Sequence, residues 1–129
     1  MPLRARYVLA TLIYCAAIFW ESSLPQPNKT GIHFAGDDKA AHMLLYGGLA
    51  AVVSVGIRRS GKPVSSARQF FAPILLAAVY GVSDEFHQSF VPMRTSSLSD
   101  VIANTAGAAL MQLVLCRYVW KIRLQRGRV

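Results

Sequence analysis

The sequence predicts an all-α polytopic membrane protein, a bundle of four transmembrane helices, and three observations carry that prediction. The 129-residue chain is 53% hydrophobic and only 16% charged, whereas soluble domains carry about 25% charged residues. Four stretches hold no Asp, Glu, Lys or Arg: residues 7–20, 40–57, 69–83 and 101–116. The basic residues gather in alternate connectors between these stretches. The same composition excludes other classes. Disordered chains pair low hydrophobicity with high charge, and two cysteines cannot staple a secreted scaffold. The formal net charge of +8 does not make a nucleic-acid binder, because too little polar surface remains for a basic face.

A spanning helix needs about 17–25 mostly apolar residues, so each bare stretch must borrow polar residues at one end. The first helix is expected over about 5–24. Arg4 and Arg6 precede it as they would a signal peptide, but Ile18, Phe19, Trp20 and Glu21 are too bulky for a cleavage site, so it is read as an uncleaved span. Pro25, Pro27, Asn28, Gly31 and Gly36 make the first connector. A second helix over about 38–57 ends at Arg58 and Arg59, before Gly61 and Pro63. The third, about 69–90, ends before Pro92 and Arg94. The fourth, about 100–120, finishes on Tyr118 and Trp120, which read as an interfacial aromatic belt. Asp38 and Asp100 stand where N-caps would, and a cap can also bind a ligand. Cys15 and Cys116 fall toward opposite leaflets, so no disulfide is expected.

Orientation follows from charge. Eleven of the fourteen basic residues lie before the first helix, in the loop between the second and third, or after the fourth. Lys29, Lys39 and Arg94 alone fall on the other side, so both termini are expected in the cytoplasm. All six acidic residues (Glu21, Asp37, Asp38, Asp84, Glu85, Asp100) and all three histidines (His33, His42, His87) belong to the outer side.

Depth arithmetic concentrates them further. Asp84 sits about 22 Å along its helix from Gln69, hence roughly 8 Å inside the outer edge of a core about 30 Å thick. By the same rise His42 lies about 5 Å in, Asn104 about 6 Å and Tyr46 about 10 Å. Three helices thus deliver polar groups to one shallow layer, and ionisable groups at such depth normally face the bundle interior or a wet cavity. The pairs His42 and Tyr46, Asp84 and Gln88, and Asp100 and Asn104 are each four residues apart, so each shares one helix face. Glu85 is rotated about 100° from Asp84, so the two carboxylates cannot point at one spot. Gly47, Gly48, Gly81, Ala103, Gly107 and Ala108 would let helices approach closely at these levels. The layer suits acid–base work by His42 with Asp84 or Glu85. Tyr46, Gln88, Asp100 and Asn104 would line a binding pocket, with Arg94 holding an anionic group such as phosphate. No HExxH, CxxC or GxSxG spacing is present, so neither a metal, a cofactor nor a serine nucleophile is expected.

Asp38-Lys39-x-x-His42-x-x-x-Tyr46, then Ser83-Asp84-Glu85-x-His87-Gln88 with Pro92 and Arg94, then Asp100-x-x-x-Asn104-x-x-Gly107, together resemble the VanZ-like family of small bacterial membrane proteins. That family takes its name from a protein associated with teicoplanin resistance, and the resemblance covers nearly the whole chain. Similar proteins often have glycine before the arginine, where this chain has Met93. The resemblance implies a place in the bacterial cytoplasmic membrane and a role in the cell envelope, and it supplies no reaction. The leading expectation is a protein that binds, or acts on, an envelope lipid or phosphorylated cell-wall precursor at the outer leaflet. The alternative is a non-catalytic structural or partner-binding module whose buried polar residues lock short helices together. A conducting pathway is the weakest reading, because the inner halves of the last three helices are nearly bare of polar groups. Oligomeric state is left open.

Overall fold

Four helices form the chain's framework in the computed structural model, which describes residues 1–25 and 37–120. They are α1 (Leu3–Ser23), α2 (Asp37–Arg59), α3 (Ser66–Gln88) and α4 (Leu98–Val114), the last continued by a π-helical segment, Leu115–Trp120. His33, Lys29 and the basic residues from Lys121 onward lie outside the described residues.

Helix starts follow side-chain caps. Ser65 accepts the Arg68 backbone N–H at 3.3 Å, so α3 begins three residues before the expected Gln69. Ser97 accepts the Asp100 backbone N–H at 3.3 Å, which places Asp100 in the first turn of α4 rather than at its cap. The cap satisfies an orphan N–H, and a carboxylate in that turn is favoured by the helix dipole.

The helices run alternately up and down. Arg4 Nε donates to the Ser60 carbonyl at 2.8 Å, joining the start of α1 to the end of α2. At the opposite end Ser23 meets His87, and Lys39 meets Ser99. The packing of α2 on α4 is the most extensive, α3 packs against both, and α1 rests on α2 and α3. Tyr14 and Tyr80 tie α1 down by donating to the carbonyls of Leu45 (2.7 Å) and Cys15 (2.6 Å).

Burial is inverted relative to a soluble protein. Leu12, Ile13, Leu75, Val79, Phe86 and Ile102 are exposed, while Ser22, Ser54, Asp84, Glu85, Gln88, Asn104 and Gln112 are buried. The apolar core is small, with Ile18, Tyr46, Leu49, Ala50, Ala77 and Ala108 at its centre. An exterior this apolar is a lipid-facing one. Three helices, Leu3–Ser23, Lys39–Arg59 and Leu98–Val119, are long and apolar enough to cross a membrane. The third helix misses that level because it carries Arg68, Asp84 and Glu85. Even so, its outward stripe of Leu75, Val79, Val82 and Phe86 is wholly apolar, and its two carboxylates turn inward.

Close approach of α2 and α4 depends on Gly107. A Cβ there would lie 2.3 Å from the Met43 carbonyl oxygen and 2.5 Å from its Cα, so the backbones themselves touch. Met93, in the turn before Arg94, has φ 64, the left-handed region that costs most side chains about 1–2 kcal/mol. The position where similar sequences often carry glycine is therefore a strained one here.

Two substitutions at these positions have expected effects readable as Tm in detergent. Gly107→Ala should force α2 and α4 apart and destabilise the protein by about 1–3 kcal/mol. Met93→Gly should raise stability by about 0.5 kcal/mol. Relief of the strain exceeds the extra freedom glycine adds to the unfolded chain, and the exposed Met93 side chain forfeits no packing.

Candidate functional site

The sequence-predicted layer assembles at the end of the bundle where α1 and α3 finish and α2 and α4 start. Its residues divide into two neighbouring groups because Asp84 and Glu85 leave α3 in different directions, as their helical spacing requires. Both carboxylates are buried, at 5% and 4% exposure, so neither faces lipid.

Asp84 belongs to an inner network. Tyr46, fully buried on α2, donates its hydroxyl to Asp84 Oδ2 at 2.8 Å. Gln88 donates to the same oxygen at 3.2 Å and to Ser22 Oγ on α1, also at 3.2 Å. Gly81 leaves the space that this needs, since a Cβ there would stand 3.2 Å from Asn104 Nδ2 and 3.4 Å from Tyr46 Cε1. Neutral donors alone serve this carboxylate, and its Oδ1 is buried with no hydrogen-bond partner.

Glu85 belongs to the second group, with His42 and Asp100. Its Oε2 accepts the Ser97 backbone N–H at 3.2 Å, while Oε1 is buried and unpartnered. His42 Nδ1 stands 2.8 Å from Asn104 Oδ1. With the amide oxygen facing the ring, Nδ1 carries the proton and Nε2 keeps its lone pair. Asp100 is ion-paired to Lys39, whose ammonium also donates to Ser99 Oγ at 2.7 Å. One ring nitrogen of His42 and one carboxylate oxygen each from Glu85 and Asp100 lie within 4.8 Å of one another. Among the two carboxylates of α3, then, Glu85 is the one beside His42.

Arg94 stands apart from both groups. Its side chain is 6% exposed and turned onto the end of α1. There it donates to the carbonyls of Leu24 (2.9 Å) and Glu21 (2.6 Å) and to Glu21 Oε1 (2.8 Å). The last carbonyls of a helix have no partner within it, and a guanidinium supplies several donors at once. His87 is likewise spent on α1, 3.0 Å from Ser23 Oγ and stacked on Phe19 at 4.4 Å. Ser22, Ser97 and Lys39 are members of the site that the sequence does not single out as binding groups. Ser22 and Ser23 at the end of the first span, and the serines before Asp100, are their only signals.

Arg94→Ala should lower stability by about 1–3 kcal/mol, the scale of charge-assisted hydrogen bonds lost to the carbonyls at the end of α1. Glu21→Gln should cost under about 1 kcal/mol, because an ion pair with an exposed carboxylate contributes little. Thermal unfolding of both variants in detergent checks the difference.

A protein-family model described as VanZ/LLP1 matches residues 7–121, nearly the whole chain, and the chain belongs to that family. No curated protein and no solved structure matches it.

Proposed function

We propose that this VanZ/LLP1 family member lies in the bacterial cytoplasmic membrane with both termini inside and binds the head group of an envelope lipid or cell-wall precursor from the outer leaflet. The orientation rests on the unequal charge of the bundle's ends. Arg4, Arg6, Arg58, Arg59, Lys62, Arg68 and Arg117 belong to one end, and the acidic layer with Lys39 and Arg94 to the other.

The observation that carries the binding reading is a set of buried polar atoms left open on different helices. These are Asp84 Oδ1 and Glu85 Oε1 on α3, and Asn104 Nδ2 on α4. An unmet buried polar atom costs about 1–3 kcal/mol, and a ligand whose polar groups met several of them at once would recover that cost. Acceptors predominate in this layer, which suits a head group rich in hydroxyl or amide N–H donors, as sugars and peptides are. Lys39 adds an ammonium that can reach a phosphate. Tyr46, Gln88 and Asp100 orient these groups, and Arg94 enters as the clamp that keeps α1 against them.

Acid–base work by His42 with Glu85 is an alternative use of the same side chains: the ring's Nε2 lone pair, where no other ligand occupies it, would take a proton from a bound hydroxyl, and the adjacent carboxylate would stabilise the imidazolium. Tolerance of teicoplanin, the trait behind the family's name, is the cellular phenotype to follow. A second reading, a structural module, is favoured by one specific observation: the Tyr46–Asp84–Gln88–Ser22 network joins α1, α2 and α3.

Lipid identified by mass spectrometry after gentle purification separates the two readings. Glu85→Gln and His42→Ala should lose a co-purifying phosphorylated lipid at least tenfold while Tm and membrane abundance hold. Unchanged lipid content in both variants sinks the binding reading. A fall in abundance that alone accounts for the lipid loss favours the structural module.

A further inference from the structure

We infer that His42, Glu85 and Asp100 form a site for one divalent transition-metal ion, with its remaining coordination position turned to the bound head group. The metal site stands on its own geometry. Only the identity of what fills the open position rests on the head-group reading above.

Three ligand atoms from three helices already lie within 4.8 Å of one another. Atoms bound to a common zinc ion at about 2.0–2.2 Å sit roughly 3–4 Å apart, so small side-chain rotations close the site. Each ligand residue is held by a partner at one atom and offers another. His42 gives Nδ1 to Asn104 at 2.8 Å, which leaves Nε2 as the ring's available lone pair. Glu85 takes the Ser97 N–H on Oε2 at 3.2 Å. Asp100 takes Lys39 on Oδ1. This is how metal sites orient their ligands, through an outer layer of hydrogen bonds that fixes tautomer and rotamer.

The independent sign of a ligand is Glu85 itself. It is 4% exposed, and its Oε1 is buried without a hydrogen-bond partner. A buried carboxyl is kept neutral by a proton, paired with a cation or bound to a metal, and a metal ion is the one of these that also uses His42 and Asp100. Here Glu85 and Asp100 face one ammonium, which is engaged on Asp100, and Arg94 is turned onto α1. A divalent ion supplies the missing positive charge. One imidazole and two carboxylates, with no thiolate, suit Zn²⁺ or Mn²⁺ better than Mg²⁺, which prefers oxygen ligands and water, or Cu⁺, which prefers sulfur. Three protein ligands leave the fourth position open, as in catalytic rather than structural zinc sites. An ion there also resolves a conflict of charge, since a phosphate would otherwise meet two carboxylates; the metal bridges them.

The test uses the full chain, purified in detergent without a histidine tag and stripped with chelator. Calorimetric titration with Zn²⁺ and Mn²⁺ should show one equivalent bound and a raised Tm, with Mg²⁺ at least tenfold weaker. Glu85→Gln and His42→Ala should weaken Zn²⁺ binding more than 100-fold, and Asn104→Ala by about 10–100-fold, through loss of ring orientation. Should a variant fail to accumulate, X-ray absorption of the zinc-loaded native protein decides instead. A first shell with one imidazole nitrogen supports the site, and one without any overturns it. Zinc binding that is absent, or equal in all variants, also overturns it. Lipid analysis on the same samples separates the two ideas: metal without phosphorylated lipid fails the head-group reading alone, and phosphorylated lipid without metal fails this one alone.

Discussion

Lipid offers no hydrogen bonds, and that one fact organises the molecule. Backbone polar groups at membrane depth must find partners inside the bundle and polar side chains are drawn inward from the lipid, so the side chains sort opposite to those of a soluble protein. Phe86 and Val82 face out while Asp84, Glu85 and Gln88 on the same helix face in. Helices of this length have few side chains with which to fill an interior, and here small residues and polar networks fill it. The apolar core is six residues, three of them alanine. What holds α1 in place is correspondingly polar: tyrosine hydroxyls on main-chain carbonyls, the guanidinium of Arg94 across its last turn, and Ser22 and Ser23 reaching to α3.

The same constraint couples packing to the site. His42 and Asn104 meet because α2 and α4 touch backbone to backbone one residue and one turn away, at Met43 and Gly107. Gly81 then gives Asn104 and Tyr46 room against α3. Glu85 is brought to them by the Ser97 N–H at the start of α4, the segment whose cap also sets Asp100 in the first turn. The site is thus a consequence of three helix contacts, and no single loop builds it. A change in helix separation of less than an ångström would be felt at the His42 hydrogen bond before it was felt in the fold.

Much of this is legible in the sequence, and for definable reasons. Charge-free stretches, connectors and the helical rise place four helices and one polar layer, because these depend only on local composition and spacing. Helix starts are less legible: a run containing Ser96, Ser97 and Ser99 offers several caps, and only backbone geometry selects Ser97 over Asp100. Arg94 resists for a different reason. Its main partners are main-chain carbonyls some seventy residues away, and a carbonyl has no signature in a sequence. The trio of His42, Glu85 and Asp100 comes from three helices, so no fixed spacing announces it. The division of labour between Asp84 and Glu85 is half visible, since their rotation about α3 requires different neighbours but does not name them.

The net charge of the chain hides a separation that matters more than its sum. Basic residues collect at one end, where headgroups and water can meet them, while the other end buries two carboxylates, Asp84 and Glu85, that no described lysine or arginine contacts. Had Arg94 turned inward, that layer would be a closed ion-pair network, with its acidic atoms satisfied and nothing left to offer a ligand. Because it turns onto α1 instead, the guanidinium holds helices together and leaves the Asp84 and Glu85 carboxyl groups to neutral donors. Asp100 has its cation in Lys39, and Glu85 has only the Ser97 N–H, so the two acidic groups beside His42 stand in unlike surroundings.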